Sequence, residues 1–330
     1  MIQSSPATSS YYSYDARDRL TNETDVIAGV SYRTLYAYDK ASNILSITYP
    51  DQTNLNFAYD ALNRIKTEGA IANFTYTLDS KLATITYGNG VKTTYTYDSR
   101  DRPKSIYSFS GSTQLMGLNY TYDGVGNVIG INTESFSYNS MNELISSSGP
   151  WGSTSYSYDG AGNMLNMTLG STTTNYGYDS YNRMTSAGSA TLTYDSNGNL
   201  NKIVNGTTTW KYYYDYENRL TSVTKNGVTA QNDTYSGDGN RVEQVFGSSN
   251  IVYTYQGVNI LYEKNLTSSI VTKNYYANGL LLGEVVGSTT YYLLDDALGS
   301  IRDVTTATPV STVFSSDYKP FGLNYGLSES

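Results

Sequence analysis

One phrase constrains this chain more than any other feature: an aromatic residue, a small or polar one, a second aromatic, then Asp, a short polar gap and an aliphatic residue. "YSYDARDRL" from Tyr12, "FAYDALNRI" from Phe57, "YSYDGAGNM" from Tyr156, "YGYDSYNRM" from Tyr176 and "YYYDYENRL" from Tyr212 are five spellings of it. Residues two apart on a strand share a face, so the two aromatics make a stripe on one side. Asp then accepts backbone N–H groups and starts a turn, and the aliphatic residue opens a second strand. Each phrase therefore predicts a β-hairpin, which is marginal alone and gains order only beside other hairpins.

Aligned on the second aromatic, the copies fall at Tyr14, Tyr38, Tyr59, Leu78, Tyr97, Tyr122, Tyr138, Tyr158, Tyr178, Tyr194 and Tyr214. The period is about 20 residues, as in other repeat architectures. Two residues earlier stand Tyr12, Tyr36, Phe57, Tyr76, Tyr95, Tyr120, Phe136, Tyr156, Tyr176, Leu192 and Tyr212. The tyrosines of these two series are expected to form a structural ladder along one sheet. Four residues after the second aromatic come Asp18, Ser42, Asn63, Asp101, Gly126, Asn142, Gly162, Asn182, Gly198 and Asn218, types that tolerate left-handed backbone. Two copies break the pattern. At Leu78 the turn reads as shortened, with Leu82 arriving early, and Pro103 stands where an aliphatic residue should begin a strand, predicting a late start or an edge. After Tyr214 the phrase degrades to "DTYSGDGNRVEQV", and beyond Val245 it is lost. The expected fold class is all-β, with hairpins coiled into one continuous spiralling antiparallel sheet, the repeat array running over 1–245.

Composition removes whole classes of function. The 330 residues contain no Cys and no His, which excludes disulfides, His metal sites and Ser-His-Asp or Cys-His catalysis. The net charge of -8, with no basic stripe, argues against nucleic acid as a partner. No apolar run reaches membrane-spanning length, so membrane insertion is not expected, and the start "MIQSSPATSSYYSYD" lacks a signal-peptide pattern.

The copies resemble the YD repeat of RHS proteins, a family that includes bacterial polymorphic toxins, toxin-complex shells and teneurins. The C-terminal text "KNYYANGLLLGEVVGSTTYYLLDDALGSIRDVT" followed by "FSSDYKPFG" resembles the RHS repeat-associated core, with Asp296 to Arg302 and Tyr318 to Gly322 as its most specific words. The resemblance implies that residues 246–330 are a core-like region continuing the same sheet, and that the hairpins form an open shell or tube segment. It also implies that the chain is part of something larger, lacking the self-cleaving stretch and toxin of its relatives.

No residue is assigned a catalytic, cofactor or metal role. Asp recurs at a fixed turn position, and the pair Asp295-Asp296 reads as a turn or a partner of Arg302. "DSNGN" at Asp195 resembles a calcium loop, but Leu200 stands where the loop glycine belongs. Candidate N-glycosylation sequons lie at Asn22, Asn73, Asn119, Asn166, Asn205, Asn232 and Asn265, no more than the composition supplies by chance. Trp151 and Trp210 are the candidate glycan contacts, since aromatic faces stack on sugar rings. The expected function is a non-enzymatic β-sheet wall or fibre element outside the cell or at its surface, partnering itself or other RHS-repeat segments. A toxin-encapsulating shell fragment and a carbohydrate-binding adhesin are the alternatives.

Overall fold

A computed structural model describes residues 2–5 and 8–329. Among them are strands Ile2–Ser5 through Asn324–Glu329 and a single 3-10 turn at Pro320–Gly322, so the protein is all-β. Strands pair antiparallel with their sequence neighbours. From Thr8–Tyr14 to Pro103–Ser110 the order is unbroken, as it is from Arg241–Phe246 to Thr312–Tyr318. Helix is disfavoured by the sequence itself, because β-branched and aromatic residues alternate with Ser and Thr at a period of two.

The chain packs as two compact units. The first comprises 1–117, 233–317 and 326–330; the second comprises 118–232 and 318–325. In the first unit the early strands lie face to face with the late ones. Tyr32 meets Tyr262 at 6.4 Å between ring centroids, Tyr49 meets Tyr275 at 6.0 Å and Tyr87 meets Tyr292 at 6.0 Å. Ile27, Ile47, Ile85 and Ile106 are buried there, as are Val252, Leu282, Leu293 and Leu294. Removing such side chains from water supplies most of the driving force, at roughly 25 cal/mol per Å². In the second unit fewer residues are buried, among them Leu118, Tyr120, Trp151, Tyr156 and Val223; Tyr156 is capped edge-on by Phe321 at 5.2 Å. Most of the face carrying Tyr176, Leu192, Trp210 and Tyr212 is only half-buried.

Two readings of the sequence need correcting. The copy assigned to Leu78 belongs to Tyr76. Tyr76 pairs with Leu82 across a register shift, as the second aromatic does in other copies, whereas Leu78 is fully exposed at the turn tip. Thr77 stands in for Asp: its hydroxyl accepts the Lys81 N–H at 3.0 Å, so the turn keeps its full length. Pro103 does not delay its strand, which begins on Pro103 opposite Tyr97. The first residue of a strand is one of the few places where a missing N–H is tolerated.

Candidate functional site

The repeated turn is the most elaborate polar structure in the molecule. The copy at Tyr59 shows its parts. Asp60 N–H donates to the Arg64 carbonyl at 2.9 Å and Asn63 N–H returns to the Asp60 carbonyl at 3.0 Å. Asn63 has φ 59°, and the strand register slips between Ala58 and Tyr59. This is a tight turn closed by a left-handed residue and a bulge, the common three-residue hairpin solution. The Asp60 side chain stitches it shut. One oxygen accepts the N–H groups of Leu62 and Arg64 at 2.9 and 3.0 Å, and the other accepts Arg64 Nε at 2.7 Å.

The same geometry recurs. Asp18, Ser42, Asn63, Asp101, Gly126, Asn142, Gly162, Asn182, Gly198 and Asn218 all have positive φ. Arg19 holds Asp15, and Arg102 holds Asp98, at about 2, well below the ordinary carboxylate value, by direct hydrogen bonding. Where Asn replaces Arg, as at Asn43 and Asn163, its amide bonds the turn Asp at 2.8 and 2.9 Å and also lowers that carboxyl.

This fifth position after the aromatic was not read from the sequence as a working part, and it links one copy to the next. Asn43, Asn127, Asn163 and Asn199 donate to Asn63, Asn142, Asn182 and Asn218 of the following turns at 2.8 to 3.0 Å. Arg19, Arg64 and Arg183 instead lie over the rings of Tyr38, Tyr76 and Tyr194 in the next copies, at 4.7, 4.4 and 4.8 Å. The available signal was chemical, since the position holds only side chains long enough to reach a neighbour.

The second aromatic makes another link. Tyr38, Tyr59, Tyr76, Tyr97, Tyr138, Tyr158, Tyr178, Tyr194, Tyr214 and Tyr255 each donate their hydroxyl to the carbonyl that opens the second strand of the preceding hairpin, at 2.6 to 3.0 Å. A ring thus covers its neighbour's apolar face while its tip satisfies that neighbour's backbone. Tyr255, beyond the last recognisable phrase, makes the bond to Arg241. The first aromatics differ among themselves: Tyr36, Tyr120 and Tyr156 are buried, while Tyr12, Tyr95, Tyr176 and Tyr212 are half-buried. Tyr14 and Tyr122 sit at the ends of their strands, Tyr14 half-exposed. Removing one shared bond by Tyr59→Phe, with Tyr11→Phe as an exposed control, is expected to cost about 1 kcal/mol in denaturant titration. Equal midpoints for the two variants would contradict a shared role for the hydroxyl.

The other candidate residues are placed as follows. Asp195 spends both oxygens inside its own turn, on the N–H groups of Asn197 and Asn199 and on the Asn199 amide. Asp296 accepts the Leu298 and Ser300 N–H groups at 2.9 and 3.0 Å and faces Arg302 Nε at 3.3 Å. Asp295 occupies the place that Tyr holds in other copies, and burial followed by the Asp296 charge pushes its carboxyl up to about 8. Trp151 is buried with its indole laid over Gly149, and Trp210 is half-buried with Lys225 Nζ 5.1 Å from its ring centre. Asn73, Asn119, Asn205 and Asn232 are exposed; Asn22, Asn166 and Asn265 are half-buried.

These features define a hairpin-repeat wall whose turns and rings are bonded copy to copy. The RHS repeat family model matches residues 14–54, so the chain carries the RHS repeat. Over 98% of its length it has the fold of three solved structures. In the Tc holotoxin pore of Photorhabdus luminescens with a substituted TccC3, identity is 16% and the TM-score 0.71. For TcdB2-TccC3 without its hypervariable C-terminal region the values are 16% and 0.72, and for TcdB2-TccC3-Cdc42 they are 18% and 0.75. This chain spans 20% of each of those chains. No curated protein sequence matches it.

Proposed function

We propose that this chain is a non-enzymatic wall segment of an RHS-type shell, working outside the cell or at its surface beside further RHS-repeat segments or copies of itself. The observation that carries this reading is the tyrosine hydroxyl bond repeated between successive hairpins. A wall gains from such bonds because each copy stabilises the next and strain is shared along the array. The half-buried face of the second unit supports the same reading, since it is formed but thinly covered. Asp195 and Asp296 are committed to turns, and the tyrosine ladder is assigned a structural role. The likeness to toxin complexes supports the extracellular setting and an encasing role within a longer assembly.

Electron microscopy of the purified chain, alone and co-expressed with further RHS-repeat segments, tests the proposal. β-walled rods or particles are the expected result. Separate monomeric beads in every mixture would sink it, as would a hydrolytic activity abolished by Asp296→Asn.

A further inference from the structure

We propose that a carboxylate cluster in the first unit, Glu23, Asp25 and Asp238 with the phenols of Tyr12 and Tyr36, binds a linear polyamine, its ammonium groups on the carboxylates and its methylene chain along the rings. The inference stands apart from the wall reading. Strand pairing assembles most of the cluster: Tyr12 and Ser10 lie opposite Glu23 and Asp25 on one side, and Thr34 lies opposite Glu23 on the other. Tyr36, two residues beyond Thr34, shares their face. The turn from Ser236 to Asn240 carries Asp238 to the same place, since Thr8 donates to the Tyr235 carbonyl at 3.2 Å and Tyr12 donates its hydroxyl to Asp238.

Three carboxylates gather here without a cation. Among the described residues none of them has an ion-pair partner, and the Glu23 carboxyl accepts no hydrogen bond. Arg33, the cation of the adjoining strand, lies opposite Thr24 on the other face and bonds Asn22. Burial, followed by the Asp25 and Asp238 charges, pushes the Glu23 carboxyl up to about 8, and burial raises Asp25 as well. Tyr36 is an independent sign of a ligand. It is 6% exposed, its hydroxyl has no hydrogen-bond partner, and after burial the Glu23 and Asp25 charges are among those that raise it further. Buried polar groups of folded proteins are ordinarily paired, so an orphan beside three carboxylates marks a place for an incoming donor.

The chemistry selects the ligand. Among the described residues no three acidic side chains are placed to hold a metal ion, so the positive charge that suits them is spread out. Glu23 and Asp25 stand two residues apart on one strand, roughly 6.7 Å, a separation that a diamine spans with a short methylene chain and a single cation does not. A lysine or arginine side chain brings one charge to three carboxylates. Ammonium groups are also drawn to the faces of phenol rings. Asp238 is exposed and Tyr12 and Glu23 are half-buried, which leaves a way in.

Calorimetric titration of the full chain with spermidine is the test, with butylamine, L-arginine and calcium chloride as parallel probes at the same ionic strength. Spermidine should bind, with an affinity that falls about tenfold or more in E23Q/D25N, the scale of one lost charge-assisted hydrogen bond. That variant keeps oxygens where the carboxylates had them, and its circular dichroism should match the parent's. Tyr36→Phe, which removes only the orphan hydroxyl, should weaken binding severalfold. Affinity should also rise as pH climbs towards 8, because the ligand displaces the proton that Glu23 holds in the folded chain. The proposal fails if spermidine does not bind the parent, or binds E23Q/D25N and Tyr36→Phe as well as the parent. It fails equally if butylamine, arginine or calcium binds as tightly and is weakened by the same substitutions.

Discussion

Replacing Glu68 with Met should make the protein more stable, by about 1 to 3 kcal/mol at pH 4 to 5, where the carboxyl is neutral and only the usual cost of burying polar atoms without partners is removed, and by more at pH 8. Glu68 lies in the core of the first unit with no exposed surface, and neither carboxyl oxygen has a hydrogen-bond partner. Burial alone pushes its carboxyl up to about 8, because nothing in the core favours the charged form. Asp295 is raised to about 8 in the same unit. The sign of the pH dependence follows. An unfolded chain releases these protons near the ordinary carboxylate value, whereas the folded chain keeps them until about pH 8. Between those limits the unfolded state binds fewer protons, so stability falls as pH rises, by about 1.4 kcal/mol per pH unit for each group. Above pH 8 the loss levels off. The turn carboxylates act in the opposite sense at the acid end, since Asp15, Asp79 and Asp98 are held at about 2 and their contribution disappears as pH falls towards that value. Denaturant midpoints should therefore peak near pH 4 to 5 and decline to pH 8, less steeply in Glu68→Met. A midpoint that climbs from pH 5 to 8, or a destabilised Glu68→Met, would show that the carboxyl is charged and held by a partner.

Glu68 also marks where sequence reading stops. The hairpin was legible because its determinants are local: Asp at the turn start, a left-handed residue three positions later and an aliphatic residue to open the next strand are all chosen by backbone geometry within six residues. The misplaced copy shows the limit of reading letters instead of chemistry, since Thr77 does with a hydroxyl what Asp does elsewhere with a carboxylate. The links between copies were harder to see. Tyr59 and Arg64 announce an aromatic strand and a charged turn, but their targets, the Ile44 carbonyl and the Tyr76 ring, belong to other phrases. Least legible was the packing of early strands on late ones in the first unit. Tyr87 donates to the Leu293 carbonyl at 2.9 Å over more than two hundred residues, and no local pattern distinguishes Tyr87 from a tyrosine of the open face.

That long-range packing exposes a glycine whose importance comes from space and not from backbone freedom. At Gly88 the chain turns from Tyr87 to Val91, with Gly88 N–H donating to the Ile71 carbonyl at 2.8 Å. A Cβ added there would lie 2.0 Å from the Ala70 carbonyl oxygen and 2.7 Å from the Tyr292 hydroxyl. The first is backbone of an adjoining strand connection and the second belongs to the facing strands, so relief requires separating elements that the core holds together. Asn89, the next residue, donates to Thr305 Oγ1 and to the Thr306 carbonyl at 3.1 and 2.9 Å, which fixes the turn against movement. Gly90 is the natural comparison: it has φ 84° but nothing within 4 Å of an added Cβ. Gly90→Ala should cost about 1 kcal/mol for its left-handed backbone. Gly88→Ala, at a position without positive φ, should cost more, about 2 to 4 kcal/mol, because overpacking against immobile backbone displaces the fold itself. Native-state hydrogen exchange should show that loss in strands Leu82–Tyr87 and Thr289–Asp295 together, since both frame the clash. If Gly90→Ala proves the more damaging of the two, or if exchange in Thr289–Asp295 is unchanged in Gly88→Ala, the early and late strands of the first unit are not packed against each other there.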